Sequence, residues 1–379
     1  MIICFECLAG TKKTLDDLVS AGGYEDYGDV IAAAVANQAL LHEKVGVRRS
    51  LVIPNSSESA KPNVTQTPSS ELVAAPGVAR TDASSSSGRS ESRLLVPDVF
   101  ALNGLSESGP QPADLPDDAW VFGQEVPISR WLFGQYNKLL PAKASCRALA
   151  RLLTSAPDGL SLSVVAVQIA EAASHLGDYL AELDRISGVS RDEALATAFP
   201  KTGEGGDKSR LRFASQFVAW TNGQGQLSGL LMGLKLINRT GHKEPRVKLT
   251  DAGWKFGLLR NPVLDVDRSR RASKLSEEEC TLLLEHIATS VPVEDFAYQA
   301  VLKGIEQGAK TPESLDDYLV RTVPKSSEEL TKEFVATQRS GVVSRMIDLG
   351  MIARVREGVR VSYALSDRAR AYLIRRSRK

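Results

Sequence analysis

Apolar residues recur at three- and four-residue spacing over several stretches of the chain, and each such stretch predicts a helix with one buried face. Near the N-terminus Leu15, Leu18 and Val19 form one face behind Thr14, which with Asp17 fits a capping box, and Gly22 and Gly23 end it. Ile31, Ala34 and Val35 carry a second helix, and the apolar run from Ile2 to Leu8 reads as a short strand ahead of both. From Pro141, which suits a first helical turn, PAKASCRALARLL and SVVAVQIAEAASHLGDYLAELDRI predict two long helices. The preceding WLFGQYN, with Trp131, Phe133 and Tyr136 close together, fits either a docking surface or an ordinary helical core.

One pattern occurs twice. A helix spanning Gln224 to Gly233 and ending near Lys235 is followed by a strand (KLINRT), a turn with Gly241 and Pro245, a strand (RVKLT) and a helix capped by Thr250 or Asp251. Near the C-terminus TQRSGVVSRMIDLGMIARVREGVRVSYALSDRARAYL repeats that order, with a closing helix opened by Ser366 and Asp367. FAYQAVLKGIEQG and PESLDDYLV supply helices ahead of the second copy.

Between Asn55 and Ser92 the periodicity vanishes into Ser, Thr, Pro and Ala, and NGLSESGPQPADLPDD follows a short apolar island, LLVPDVFAL. Composition therefore assigns residues 47–118 to a disordered linker. With 379 residues, 42% hydrophobic, the chain has material for two or three domains. No apolar run reaches the ~18–20 residues of a membrane span, and the N-terminus lacks a secretory pattern. Four scattered cysteines do not make a disulfide framework, so a cytoplasmic location without membrane attachment is expected.

The net charge of +1 hides a gradient: residues 339–379 carry eleven Arg or Lys against three Asp or Glu. That concentration of cation points to a polyanion such as DNA.

LDDLVSAGGYEDYGDVIAAAV resembles the ribbon-helix-helix family of CopG and Arc type repressors over residues 1–46. The resemblance implies a homodimer whose strands pair into a ribbon. The strand offers no Lys, Arg, Asn or Gln for paired bonds to a base edge, which leaves dimerisation as its expected role. Cys4 and Cys7 lie three apart and point to opposite faces of a regular strand, so a metal site needs a knuckle turn instead. One C-x-x-C supplies half of a tetrahedral zinc site. Two copies across a dimer complete it; small buried residues are the other reading.

LSGLLMGLKLINR and VKLTDAG, and again the C-terminal copy, resemble MarR-type winged-helix regulators. The resemblance implies a helical domain with a winged helix at 119–267 and a basic winged-helix domain at 268–379, in a mainly α protein. In the second unit Gln338, Arg339, Ser340 and Arg345 would lie on or beside a recognition helix, with Arg354, Arg356 and Arg360 on the wing. Base edges and phosphates are the respective partners of such groups. Contact with ~5 phosphates gives a log–log salt slope near −4.5. The first unit offers Lys243 and Arg246.

TGEGGDKS has Asp207 where a phosphate loop needs Gly before Lys, and the four histidines show no metal-ligand spacing. Neither H-E-x-x-H nor G-x-S-x-G occurs. The expectation is a non-catalytic regulator that binds double-stranded DNA; the alternative is an adaptor subunit of a DNA-processing or defence assembly that uses its winged helices for protein docking.

Overall fold

The structure, a computed structural model, describes residues 95–379 apart from 107–108, 191–192, 204, 223–224, 242–244, 266–272, 325–329, 359 and 378–379. The ribbon-helix-helix resemblance, Cys4, Cys7 and Lys243 therefore lie outside the described residues. The described part is mainly helical with small antiparallel sheets.

Helix α1, Leu139–Leu153, is buried along residues 139–150. Its alanines at 142, 144, 148 and 150 present little bulk, so neighbours approach its backbone. In the WLFGQYN stretch Trp131 and Tyr136 are core residues while Phe133 is 43% exposed, and the Trp131 indole N–H donates to Val126 O at 3.1 Å. A two-residue strand, β1 (Leu160–Ser161), leads into α2 (Leu162–Ser187), which Gly188 ends in the left-handed conformation at φ 60°. Then come α3 (Gly206–Phe213), a π-helical turn Ala214–Val218, and a small hairpin of β2 (Trp220–Thr221) and β3 (Leu227–Ser228). Helix α4 is a single turn, Leu230–Gly233, followed by β4 (Ile237–Thr240), β5 (Arg246–Leu249) and α5 (Asp251–Leu258). Thr250 is the cap of α5, accepting from Gly253 N.

The C-terminal part contains α6 (Glu277–Ser290), α7 (Pro292–Glu306), α8 (Pro312–Thr322), α9 (Lys332–Asp348), β6 (Ile352–Glu357), β7 (Arg360–Leu365) and α10 (Asp367–Ser377). Capping boxes at Ser276 with Glu279 and at Thr311 with Ser314 fix the starts of α6 and α8.

The repetition read in the sequence is repeated bond for bond. Leu236 N donates to Leu231 O at 2.8 Å, and Met351 N to Met346 O at 2.9 Å. Thr250 N reaches Leu236 O, and Ser366 N reaches Met351 O, both at 3.0 Å. The hydroxyls of Thr250 and Ser366 donate to Lys235 O and Gly350 O, both at 2.8 Å. Lys235 (φ 54°) and Gly350 (φ 68°) take the same left-handed turn, which costs the lysine more than the glycine. Each hairpin also pairs on the outer edge of its second strand: Leu160 opposes Val247 in the first copy, and Tyr363 N donates to Lys310 O in the second.

Two expectations change. The helix expected from 224 to 233 is one turn only, because residues 227–228 pair with 220–221 as a hairpin before Gly229 turns the chain at φ 118°. The linker expected through residue 118 ends earlier. Phe100 from the apolar island is fully buried, and Ala113 N donates to Leu249 O at 2.8 Å. Burial of that aromatic, with Val96, Val99 and Leu105 packed against the core, offsets part of the cost of ordering the segment.

The described residues belong to one compact unit. Within it the two repeats share polar contacts that are themselves buried. Lys143 of α1 meets Glu279 of α6 at 2.7 Å with both side chains fully buried, Leu139 N donates to Asp348 Oδ2, and Arg345 donates to Tyr136 O at 2.6 Å. His286 bonds Leu234 O at 2.8 Å.

Candidate nucleic-acid interface

The register of β6 and β7 decides which arginines of the C-terminal hairpin share a face. Arg354 opposes Tyr363 and Arg356 opposes Val361, so both arginines belong to one face with Ile352 and Leu365. That face turns toward α9, because Tyr363 is buried and its hydroxyl lies 3.4 Å from Arg339 Nη1. Arg360 opposes Glu357 on the other face, together with Ala353, Val355 and Ala364. Arg354, Arg356 and Arg360 are all exposed.

Lys310 lies on the far side of β7, where its carbonyl accepts from Tyr363 N at 2.7 Å. Its side chain is exposed. The order across the sheet is thus Arg354, Tyr363, Lys310. Reading the sequence missed Lys310, because the loop between α7 and α8 carries no strand signal; the matching first-copy strand β1 is the feature that locates it.

Helix α9 behaves otherwise. Arg345, expected at a base edge, is fully buried and clamps Glu294 through Nε at 2.6 Å and Nη2 at 2.9 Å. Arg339 is nearly buried and holds Asp316 in the same two-pronged way, at 2.9 and 3.0 Å. Gln338 is 2% exposed, with its amide N–H aimed at Ile128 O and Trp131 O at 3.4 and 3.5 Å and its Oε1 without a hydrogen-bond partner. These three placements correct the sequence expectation. The physical reason is that α9 packs under residues 128–136, so closely that a Cβ at Gly341 would fall 2.3 Å from Gly134 O. Only Ser340 of the four expected helix residues is exposed.

The basic gradient is also compensated. Besides Arg339 and Arg345, Arg368 pairs with Glu277, Arg370 with Asp367, Arg375 with Glu285 and Arg376 with Asp295. Acids from α6, α7 and α8 supply five of these six partners, which is why a count along the last forty residues overstates the field they project. Arg354, Arg360 and Lys310 have no ion pair with an acid among the described residues. In the first repeat Arg246 is exposed but donates to Gly159 O at 2.8 Å, which ties it to the sheet edge.

The buried ionic groups serve the fold. Arg147 forks onto Asp265 at 2.7 and 2.9 Å and also donates to Leu259 O, while Lys143 donates to Phe256 O and Leu259 O. Both cations thereby satisfy carbonyls at the C-terminal end of α5, where the helix dipole favours positive charge. Burial pushes the Lys143 ammonium down to about 8 against the opposing pull of Glu279. Burial also raises the Asp295 carboxyl, against hydrogen bonds from Tyr372 and Arg376. Cys146 and Cys280 are free and buried, with thiols pushed up by burial to about 12 and about 11.

No group of three or more His, Cys, Asp or Glu placed to hold a metal ion occurs among the described residues. No helix among them is long and apolar enough to cross a membrane. No protein-family model, no curated protein and no solved structure matches the chain.

Proposed function

We propose that the two repeats are winged-helix units and that the protein is a non-catalytic, double-stranded DNA-binding protein of regulatory type, contacting DNA through the C-terminal hairpin. What supports the winged-helix reading is the shared order of helices and closing hairpin, with β1 on the outer edge of β5 in the first repeat and the Lys310 carbonyl bonded to the outer edge of β7 in the second. The observation that carries DNA binding is that the side chains of Arg354 and Arg356, on one face of the β6–β7 hairpin, are both exposed, as is Lys310 at the outer edge of β7. Exposed cations that meet phosphates supply a large share of the affinity in such interfaces.

A second reading has its own support. The burial of α9 under residues 128–136 removes the element expected in the major groove, which favours an adaptor whose repeats dock protein. Fluorescence anisotropy with labelled duplex DNA separates the two. DNA binding predicts salt-sensitive association lost in the double charge reversal Arg354→Glu with Arg356→Glu, both exposed and so compatible with folding. Absence of association by the wild-type chain at low salt refutes the DNA reading and leaves the adaptor.

Dimerisation through residues 1–46, and zinc shared by Cys4 and Cys7 across that dimer, remain parts of the proposal that rest on sequence resemblance and ligand count.

A further inference from the structure

Resting on the adaptor reading, we infer that the open edge of β6 takes up an extended acidic segment of a partner protein as an added antiparallel strand. The hydrogen-bond alternation of the hairpin shows which groups of β6 are open. Met351 O accepts from Ser366 N, so the ladder bonds recur at Ala353 with Ala364, Val355 with Ser362 and Glu357 with Arg360. The residues between them turn their N–H and C=O outward, as Tyr363 does in donating to Lys310 O. Arg354, opposite Tyr363, therefore aims its N–H and C=O away from β7, and no backbone group among the described residues meets them. The first repeat shows the same edge closed. Arg239 follows Leu236 at the distance at which Arg354 follows Met351, and its N–H donates to Asn238 Oδ1 at 2.7 Å. The Arg239 guanidinium is held as well, on Gly225 O at 2.5 Å. In the second repeat Ala353 stands where Asn238 does and offers no acceptor, so the Arg354 N–H faces outward with the exposed side chains around it.

The pairing rule also decides the occupant. An antiparallel strand added at this edge bonds through its own outward-turned residues, which then lie directly opposite Ile352, Arg354 and Arg356 and share their face. Arg354 is exposed, so an acid opposite it gains a cross-strand partner of opposite charge. The residues between those acids fall beside Ala353 and Val355, both exposed and apolar, and small or β-branched apolar side chains suit them. The segment that fits thus alternates acid and aliphatic residues: main-chain bonds give it affinity, and the alternation gives it specificity. A second copy of this chain is a poor occupant. The same rule sets Arg354 against Arg354 or Arg356 in the central registers, and like charges directly opposite one another keep two such edges apart.

The test titrates the full chain, by anisotropy, into a short labelled peptide that alternates glutamate and valine. Two control peptides carry lysine in place of glutamate, or N-methyl groups on the amides flanking the valines. The expected result is saturable binding of the first peptide, about tenfold weaker for the N-methylated one, which has lost main-chain donors, and weaker still for the lysine one. Arg354→Ala removes the charge and is expected to weaken binding about threefold. Arg354→Pro also removes the outward N–H without touching a ladder bond to β7, and is expected to weaken it about tenfold beyond the alanine variant. Binding that is equal for the N-methylated and unmodified peptides overturns the inference while leaving the adaptor reading in place, because the contact then does not run through the strand edge. Absence of binding by the glutamate–valine peptide overturns the inference as well. Salt-sensitive association with duplex DNA, lost in Arg354→Glu with Arg356→Glu and accompanied by no peptide binding, overturns the adaptor reading with it.

Discussion

Replacing Arg345 by Met separates a structural arginine from a DNA-contacting one. The guanidinium is fully buried against a fully buried Glu294, and its third nitrogen serves Tyr136 O. Methionine fills similar volume but leaves the carboxylate uncompensated, a change that costs about 3–5 kcal/mol when one partner of a buried pair is removed. Against a total of about 5–15 kcal/mol for a folded protein, that is a large fraction. The double variant Arg345→Met with Glu294→Leu removes both charges and is expected to recover stability to within about 1–2 kcal/mol of wild type. Urea unfolding followed by circular dichroism, with a second probe to check two-state behaviour, measures both differences and their coupling. A single variant within about 0.5 kcal/mol of wild type, the usual range for exposed positions, would refute the reasoning. So would a double variant as unstable as the single one.

Three further outcomes follow from particular contacts. Burial lowers the His286 pKa below the usual 6.5, so at lower pH the unfolded chain binds the proton first; stability is full above 6.5 and falls as pH drops through that value. His286→Gln should remove this component from a stability-versus-pH curve, and an unchanged curve contradicts it. Gly341→Ala places a methyl against the Gly134 carbonyl and should cost about 1–3 kcal/mol or more in urea unfolding; a neutral substitution would mean that residues 128–136 yield easily. In a Cys4→Ser, Cys7→Ser variant, a thiol reagent should label neither Cys146 nor Cys280 until denaturant is added, since both thiols are buried and held protonated; rapid native labelling would contradict their placement.

Much of the C-terminal architecture was legible because hairpins and caps are local. LGMIARVREGVRVSYALSD announces its helix end, two strands and next helix within twenty residues, and the structure places them so. The first copy was partly misread because Trp220 and Leu227, too far apart to suggest pairing, oppose the neighbours of each other in a hairpin that interrupts the helix. The fate of the basic residues was not legible from their own elements. Arg345 and Glu294 are fifty-one positions apart, and no periodicity along α9 distinguishes an arginine bound for the interior from one bound for solvent. A signal did exist in α7, where the adjacent Glu294 and Asp295 open a helix with a long apolar face. Paired acids on a buried helix call for buried cations, and Arg345 and Arg376 are those cations.

The central claim is that DNA meets the β6–β7 hairpin and Lys310, with α9 closed to it. Ultraviolet crosslinking of the full chain to duplex DNA, followed by mass-spectrometric mapping of the adducts, tests this most directly. The account predicts adducts at residues 310 and 352–365. Adducts concentrated on residues 332–348, or on the β4–β5 hairpin of the first repeat, would contradict it.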